Sequence, residues 1–260
     1  MKENPAVKIA FFDIDGTILP FGRSEPSQKT VFALNELQKN GILLCVATGR
    51  CAAALPKLTG ISFDVFMTYN GSYCYTGNDV ICTCPLPAED VLQILENTKR
   101  MNRAISISNG RFTVSNGTDE DLETYYSFSK SKNIIADDFE LRCREEIYQI
   151  MLSCSPSEYD EILRGTTGTS VQAWWDKAAD LVSADSGKGK AVESILSYFG
   201  FSKEEAIAFG DGSNDISMLQ AVGTGIAMGN SNDDVKAAAD AVCESADDDG
   251  VYHYIHDNIL

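Results

Sequence analysis

The sequence predicts an α/β fold, a doubly wound parallel sheet into which a smaller α+β domain is inserted. Short, continuously apolar segments alternate with amphipathic helical segments near both ends of the 260-residue chain, which is typical of strands buried on both faces of a parallel sheet. Between about residues 82 and 184 this alternation is replaced by helices and hairpin-like pairs of short strands. We therefore expect a Rossmann-like core of residues 1–81 and 185–260, with residues 82–184 as an inserted domain.

The first part of the predicted core contains three strands. Each is a short apolar segment rich in residues that favour strands and is cut off by polar residues or glycine. The helix between the first two strands carries apolar side chains at helical spacing and ends at Gly41. The expected elements, in order, are a strand over 7–14, a helix over 27–40, a strand over 41–47, a short helix over 52–58 and a strand over 63–68.

The remaining elements fall into the insertion and the second part of the core. In the insertion we expect a helix over 88–101, a hairpin over 104–108 and 111–115, a strand over 146–153, a helix over 158–163, and strands over 171–175 and 179–182. After it, the alternation of strands and helices returns. It predicts a helix over 188–199, a strand over 206–209, a loop that opens another helix, a strand over 225–228, a helix over 233–239 and a short strand over 241–243.

Composition excludes several classes of function. The chain has 38 acidic and 21 basic residues, a formal net charge of −17, which disfavours binding to nucleic acid or to an anionic membrane. No apolar segment approaches the length of a membrane-spanning helix, and residues 1–5 lack the apolar stretch of a signal peptide, so we do not expect a secreted protein. The eight cysteines form no Cys-x-x-Cys pair, so we expect reduced thiols in a cytoplasmic protein.

Chemically active side chains occur where the predicted strands end. Because the carboxyl ends of parallel strands share one edge of a sheet, four separate segments of the chain can converge there. Any one of them alone could be a turn, a helix cap or a solvated charge, but four at the corresponding edge of one sheet indicate a site. The residues are Asp13 and Asp15 after the first strand, Thr48 after the second, Lys188 at the start of a helix, and Asp211 and Asp215 around a glycine-rich loop.

This set of residues predicts phosphoryl chemistry. Acidic groups that meet at close range repel one another, and a divalent cation with oxygen ligands, most simply Mg²⁺, relieves that repulsion. Together with Lys188, the cation would supply the local positive field that a phosphorylated substrate needs. One carboxylate of the Asp13–Asp15 pair could then attack phosphorus while the other transfers protons.

Four motifs resemble those of phosphatases of the haloacid dehalogenase (HAD) superfamily, in the same order along the chain. They are Asp13-Ile14-Asp15-Gly16-Thr17, Ala47-Thr48-Gly49-Arg50, Gly187-Lys188-Gly189 and Gly210-Asp211-Gly212-Ser213-Asn214-Asp215. The α+β insertion between the second and third motifs is similar to the type IIB cap of the Cof-type subfamily. The resemblance covers essentially the whole chain and implies a HAD-type core with a cap domain that recognises the leaving group.

The resemblance also implies a role for each residue. Asp13 would be the nucleophile that forms an aspartyl-phosphate, and Asp15 would be the general acid and base. The Mg²⁺ ligands would be Asp13, the backbone carbonyl of Asp15 and Asp211, with Asp215 in or just behind the ligand shell. The phosphoryl group would be held by Thr48, Gly49, Lys188 and Asn214.

The leading hypothesis is therefore a Mg²⁺-dependent phosphatase acting on a small phosphorylated metabolite such as a sugar phosphate, as a monomer or homodimer. Two alternatives remain: a phosphomutase of the phosphomannomutase type, and a non-catalytic phosphate-binding protein with the same fold. In the cap, Trp174-Trp175-Asp176 and Asp180 are near enough in sequence to the site to face it.

Overall fold

The computed structural model describes residues 6–129, 132–175 and 178–260. The chain divides into two compact units. The core unit contains Met1–Gly49, Pro56–Thr83 and Gly187–Leu260, and the second unit contains Arg50–Leu55 and Cys84–Ser186. None of the helices in the described ranges is both long and apolar enough to cross a membrane.

The described elements alternate between strands and helices at both ends of the chain. The strands are β1 (Ile9–Phe12), β2 (Leu43–Ala47), β3 (Val65–Thr68), β4 (Tyr73–Thr76), β5 (Val80–Thr83), β6 (Ser106–Ser108), β7 (Thr113–Ser115), β8 (Gln149–Leu152), β9 (Thr169–Trp175), β10 (Ala178–Ser183), β11 (Ala206–Gly210), β12 (Thr224–Ala227) and β13 (Ala241–Val242). The helices are α1 (Gln28–Lys39), α2 (Ala88–Arg100), α3 (Glu120–Ser129), α4 (Phe139–Arg142), α5 (Tyr159–Ile162), α6 (Lys188–Phe199), α7 (Ile216–Ala221), α8 (Asp233–Ala238) and α9 (Gly250–Asn258).

The core unit is built on a sheet with the strand order β13-β12-β11-β1-β2-β3-β4-β5. The strands from β13 to β3 pair in parallel, and β4 and β5 add an antiparallel hairpin at one edge. The predicted α/β fold with a large parallel sheet is confirmed. Because β1, β2 and β11 are parallel neighbours, their carboxyl ends lie side by side, and the residues that follow them are brought together.

Apolar side chains cover both faces of this sheet. On one face, α6 and α7 pack against the strands, and Ala191, Ile195 and Leu219 are almost completely buried there. On the other face, the rings of Phe12 and Phe209 stack with their centroids 5.1 Å apart, and Tyr254 of α9 meets Phe209 edge-on. β1 is therefore buried on both faces, as its continuously apolar sequence predicts.

The second unit contains an antiparallel sheet with the order β7-β6-β8-β10-β9. Its apolar core includes Ile94 and Leu95 of α2 together with Ile107, Ile150 and Leu181 of the sheet. The segregation of helices and antiparallel strands is the α+β pattern that the sequence predicts for this region.

Some local predictions differ from the structure. The helix expected over 52–58 is a single 3₁₀ turn, Ala52–Ala54, because Pro56 follows it and disfavours continuation of the helix. The hairpin of β4 and β5 was missed, although Gly77-Asn78 between two short strands is a turn signal. It extends the core sheet as far as Thr83.

Candidate active site

Three of the predicted site residues directly follow neighbouring strands of the core sheet. Asp13 follows β1, Thr48 follows β2 and Asp211 follows β11. Lys188 is the first residue of α6, which packs against the same sheet. The structure thus brings the four predicted segments to one edge of the sheet.

Lys188 lies at the centre of this cluster. Its side chain is completely buried, and Nζ donates hydrogen bonds to Asp13 Oδ1 at 2.7 Å, to Asp215 Oδ1 at 2.5 Å and to the carbonyl oxygen of Ala47 at 3.0 Å. A lysine ammonium has three protons, so these three acceptors use all of them. Lys188 is therefore positioned as a fixed positive charge beside two carboxylates.

Gly189 allows α6 to come this close to α7. A Cβ atom at Gly189 would lie 2.6 Å from the carbonyl oxygen of Ser217, a distance that no side chain tolerates. Its backbone N–H also donates to Ser217 Oγ at 3.1 Å. The glycine after Lys188 is therefore required by packing.

Burial and the neighbouring charges shift the protonation of the cluster. Burial raises the pKa of Asp13 well above its usual range; Lys188 opposes this rise, and the Asp215 and Asp211 carboxylates add to it. Burial alone would lower the pKa of Lys188, but the carboxylates of Asp13 and Asp215 raise it. Lys188 therefore stays charged over the physiological pH range.

Asp211 is held by neutral groups. Its Oδ1 accepts a hydrogen bond from Thr17 Oγ1 at 3.2 Å, and its Oδ2 accepts from Asn230 Nδ2 at 3.3 Å. Burial, with a further contribution from the Asp215 carboxylate, raises the pKa of Asp211 to about 7. Ionised Asp211 is thus disfavoured unless a further positive charge is present.

The turn after β1 comes close to Asp211 through Gly16. The φ angle of Gly16 is +88°, and a Cβ atom there would lie 2.1 Å from Asp211 Oδ2. Both observations require glycine. Asn230 also donates to the carbonyl oxygen of Gly16 at 2.9 Å, which ties this turn to the loop after β12.

Asp215 closes the loop that carries Asp211. While its Oδ1 accepts from Lys188, its Oδ2 accepts from the backbone N–H groups of Asp211 and Gly212 at 3.0 and 2.9 Å. The side chain is 1% exposed. Asp215 therefore holds Lys188 and the loop that carries Asp211 in place through hydrogen bonds.

Three of the four predicted phosphate-binding residues, all except Lys188, lie around Asn70. The Asn70 backbone N–H donates to the carbonyl oxygen of Thr48 at 3.0 Å, and its Oδ1 accepts from Asn214 Nδ2 at 3.0 Å. A Cβ atom at Gly49 would lie 3.0 Å from Asn70 Nδ2. Asn70 thus contacts Thr48 through its backbone, and its amide side chain lies beside Gly49 and Asn214.

Sequence reasoning missed three residues of this cluster: Thr17, Asn70 and Asn230. The strand-end rule that pointed to Asp13 could have found two of them, because Asn70 follows β3 and Asn230 follows β12. Thr17 belongs to a motif that was recognised, but its hydroxyl contact with Asp211 joins residues 194 positions apart. No local pattern reveals such a contact.

The donor set fits a divalent cation. Asp13, Asp211 and Asp215 each offer a carboxylate oxygen, and these oxygens lie within 4.8 Å of one another. Lys188 neutralises one of the three negative charges. Oxygen ligands with an excess negative charge are what Mg²⁺ prefers, and a cation bound there would favour the ionised form of Asp211, whose pKa is raised mainly by burial.

The other predicted residues lie near this cluster in sequence or in the second unit. Asp15 is partly exposed in the turn after β1, where its backbone forms an isolated β-bridge with Leu19. In the second unit, Asp180 is buried and accepts a hydrogen bond from the Tyr125 hydroxyl at 2.6 Å. The side chains of Trp174 and Trp175, and the whole of Asp176, lie outside the described residues.

Comparison with known proteins relates this chain to phosphatases. The family described as haloacid dehalogenase-like hydrolase matches residues 10–255. Pyridoxal phosphate phosphatase YbhA of Escherichia coli (strain K12) is 25% identical over 274 residues, covering 97% of this chain and 99% of that protein. YkrA of Bacillus subtilis (strain 168) is 27% identical over 250 residues, covering 95% and 96%.

Solved structures show the same relationship. The HAD subclass IIB sugar phosphatase BT4131 superposes with a TM-score of 0.85 and 30% identity, over 98% of this chain and 100% of that one. BT1666 of Bacteroides thetaiotaomicron, described among phosphatases of the HAD superfamily, gives a TM-score of 0.89 and 27% identity, over 98% and 96%. The chain therefore belongs to the haloacid dehalogenase-like hydrolases, and within them it is a phosphoric monoester hydrolase.

Proposed function

We propose that the chain is a Mg²⁺-dependent phosphatase that hydrolyses a small phosphorylated metabolite, a sugar phosphate, through an aspartyl-phosphate intermediate. The observation that carries the proposal is the buried cluster in which Lys188 contacts both Asp13 and Asp215 while Asp211 lies beside them. Likeness to the sugar phosphatase BT4131 over nearly the whole chain supports the class of substrate.

Asp13 is proposed as the nucleophile. Among the described residues, the hydrogen bond of its side chain goes from Lys188 to Oδ1, which leaves Oδ2 to attack phosphorus. The side chain is 11% exposed, so a substrate can reach it while bulk water is largely excluded. Attack forms a phosphorus–oxygen bond to Asp13 and breaks the bond to the leaving oxygen.

Asp15 is proposed as the general acid and base. It would donate a proton to the leaving oxygen in the first step and take a proton from the attacking water in the second, which releases inorganic phosphate and restores Asp13. Its partial exposure, two residues after the nucleophile, suits a group that exchanges protons with water.

The phosphoryl oxygens are proposed to bind Thr48, the Gly49 N–H and Asn214, with Lys188 contributing its positive charge. Because the protons of Lys188 are already donated to protein acceptors, a phosphoryl oxygen would have to replace one of these partners. When bound, Mg²⁺ would offset negative charge on the phosphoryl group, and Asp13, the Asp15 carbonyl, Asp211 and Asp215 are the residues proposed to hold it.

The test is phosphate release from a panel of phosphorylated metabolites, with Mg²⁺ or with EDTA. The panel includes hexose and pentose phosphates, pyridoxal phosphate and 5-amino-6-(5-phospho-D-ribitylamino)uracil, since relatives are named for the last two. We expect Mg²⁺-dependent release that falls by orders of magnitude in Asp13→Asn and is unchanged in Asp247→Asn, an exposed carboxylate.

Two other results would change the assignment. Interconversion of sugar phosphate isomers in the presence of a bisphosphate activator, without net phosphate release, would identify a phosphomutase. Binding of a panel member without any turnover by folded protein would identify a phosphate-binding protein.

A further inference from the structure

Two cysteines face each other across the hairpin at the edge of the core sheet. β4 and β5 are antiparallel, and their register places Cys74 opposite Cys82. Residues directly opposite in such a pair point to the same face, with Cβ atoms about 4.5–5.5 Å apart. This register brings the two side chains within reach of each other, since the Cβ spacing of a disulfide is about 3.5–4.5 Å.

The structure also shows which cysteine is the partner of Cys82. Cys84 is closer in sequence, but β5 ends at Thr83 and Cys84 belongs to the second unit. Cys74, by contrast, is fixed in the ladder and lies in the apolar core beneath α6. The arrangement is therefore a cross-strand pair.

The two sulfurs differ in access and in acidity. Cys74 is fully buried, whereas Cys82 is partly exposed. Hydrogen bonds from Cys74 and from the Ser194 hydroxyl of α6 lower the pKa of Cys82 to about 7, although burial opposes this. The same hydrogen bond, together with burial, raises the pKa of Cys74 well above its usual value. The accessible sulfur thus ionises more readily than the buried sulfur opposite it, and a thiolate is the reactive form of cysteine.

We propose that Cys82 and Cys74 are a thiol-modification site that reacts with hydroperoxides and forms a reversible disulfide. The Cys82 thiolate attacks one peroxide oxygen, so an S–O bond forms and the O–O bond breaks; the hydroxide released takes up a proton and leaves as water. Cys74 then attacks the sulfur of the Cys82 sulfenic acid. The S–S bond forms, the S–O bond breaks, and the hydroxyl group leaves as water with the Cys74 proton.

The electrons balance in this sequence. Two thiols supply two electrons, hydrogen peroxide accepts them, and two molecules of water are formed. A dithiol reductant reverses the disulfide. This thiol chemistry is independent of the phosphatase reaction, and its test measures thiols and peptides.

The experiment treats the full-length protein with one to two equivalents of hydrogen peroxide, blocks the remaining thiols and digests the protein, without reduction, with a protease that cleaves before aspartate. Cleavage before Asp64, Asp79 and Asp90 places Cys74 in a peptide of residues 64–78 and Cys82, with Cys84, in a peptide of residues 79–89. We expect these two peptides to be linked, and two of the eight thiols to be lost and then restored by dithiothreitol.

Single-cysteine variants show which sulfur reacts with peroxide and which one forms the disulfide with it. Cys84→Ser should retain the link, and Cys82→Ser should abolish it. In Cys74→Ala, Cys82 should stop at the sulfenic acid and be labelled by dimedone. Cys243, also partly exposed but with a pKa that burial raises to about 12, should remain unmodified and is the matched control within the same molecule.

Three outcomes would overturn the proposal. The first is folded wild-type protein that retains all of its thiols after peroxide treatment. The second is a link between the two peptides that persists in Cys82→Ser, because it would have to involve Cys84. The third is wild-type Cys82 that accumulates as a dimedone-labelled sulfenic acid without any link.

Discussion

Replacement of Lys188 by methionine tests how strongly one buried ammonium stabilises the core unit. Methionine retains most of the length of the side chain and a high helix propensity, so α6 itself should be little affected. The change removes the charge and leaves Asp13 and Asp215 facing each other without the cation that contacts both. It also leaves the carbonyl oxygen of Ala47 without this donor.

The loss of stability expected in Lys188→Met is large because the charges involved are buried. Lys188 is 1% exposed and Asp215 is 1% exposed, so solvent screens their interaction poorly. Removal of one partner from a buried ion pair costs about 3–5 kcal/mol, because the other charge is left uncompensated. Total stabilities of domains are about 5–15 kcal/mol, so the variant should lose a large fraction of its stability.

The assay is urea unfolding followed by far-UV circular dichroism at pH 8 in EDTA. Lys190→Met, an exposed lysine on the same helix, is the matched control and should change stability by less than about 0.5 kcal/mol. The double variant Lys188→Met/Asp215→Asn should recover part of the loss, because one of the uncompensated charges is removed. The loss should also shrink toward pH 5, since the raised pKa of Asp13 allows it to take up a proton.

One result would refute this reasoning. If Lys188→Met unfolds at the same urea concentration as Lys190→Met, in EDTA at pH 8, then the ammonium does not compensate the carboxylates in the folded protein. The electrostatic picture of the site would then be wrong.

Three further predictions concern the contacts of Asp211. In urea unfolding, Gly16→Ala should destabilise the protein by about 1–3 kcal/mol more than Gly22→Ala. Both glycines have a positive φ, but only at Gly16 would a Cβ atom clash with the Asp211 carboxylate. Equal losses of stability in the two variants would contradict this close approach. The pKa of Asp211 is raised from its usual 3.8 to about 7, so its ionisation weakens the metal-free fold by up to about 4 kcal/mol as pH rises from 4 to 7. In urea unfolding with EDTA, Asp211→Asn should therefore be more stable than the wild type at pH 8 and almost equally stable at pH 4; equal stability at pH 8 would contradict the raised pKa. Asn230→Ala should weaken Mg²⁺ binding, measured by calorimetry, by about 10–100-fold, because Asn230 holds the proposed ligand Asp211; unchanged affinity would show that Asn230 does not support this ligand.

Much of the core could be predicted because it depends on local patterns. The strand β1 is apolar along its whole length and is followed by polar residues, and both facts are visible in the sequence. The parallel order of the strands then places their carboxyl ends together without further information. Hence Asp13, Thr48 and Asp211 can be grouped from the sequence alone.

The contacts that hold the site together could not be predicted in this way. Asn230 reaches the Gly16 carbonyl across 214 positions and Asp211 across 19, and it also accepts from the Ala246 N–H. Which amide serves such a purpose depends on how loops from different strands pack, and no periodicity encodes that. The helices α3 and α9 were missed for a related reason. Their apolar residues are mixed with tyrosine, histidine and acidic residues and show no clear helical spacing, so tertiary packing decides that they form helices.

The position of β1 between β2 and β11 has a consequence for the newly made chain. β11 begins about 190 residues after β1 ends, so at about 5–20 residues per second the ribosome completes it roughly 10–40 s later. During that interval one edge of a fully apolar strand has no partner, while the residues of the second unit between 84 and 186 are being made and can fold. An unpaired apolar edge is a template for aggregation. The insertion therefore lengthens the time during which this edge of β1 is unpaired, by the time that residues 84–186 take to be translated.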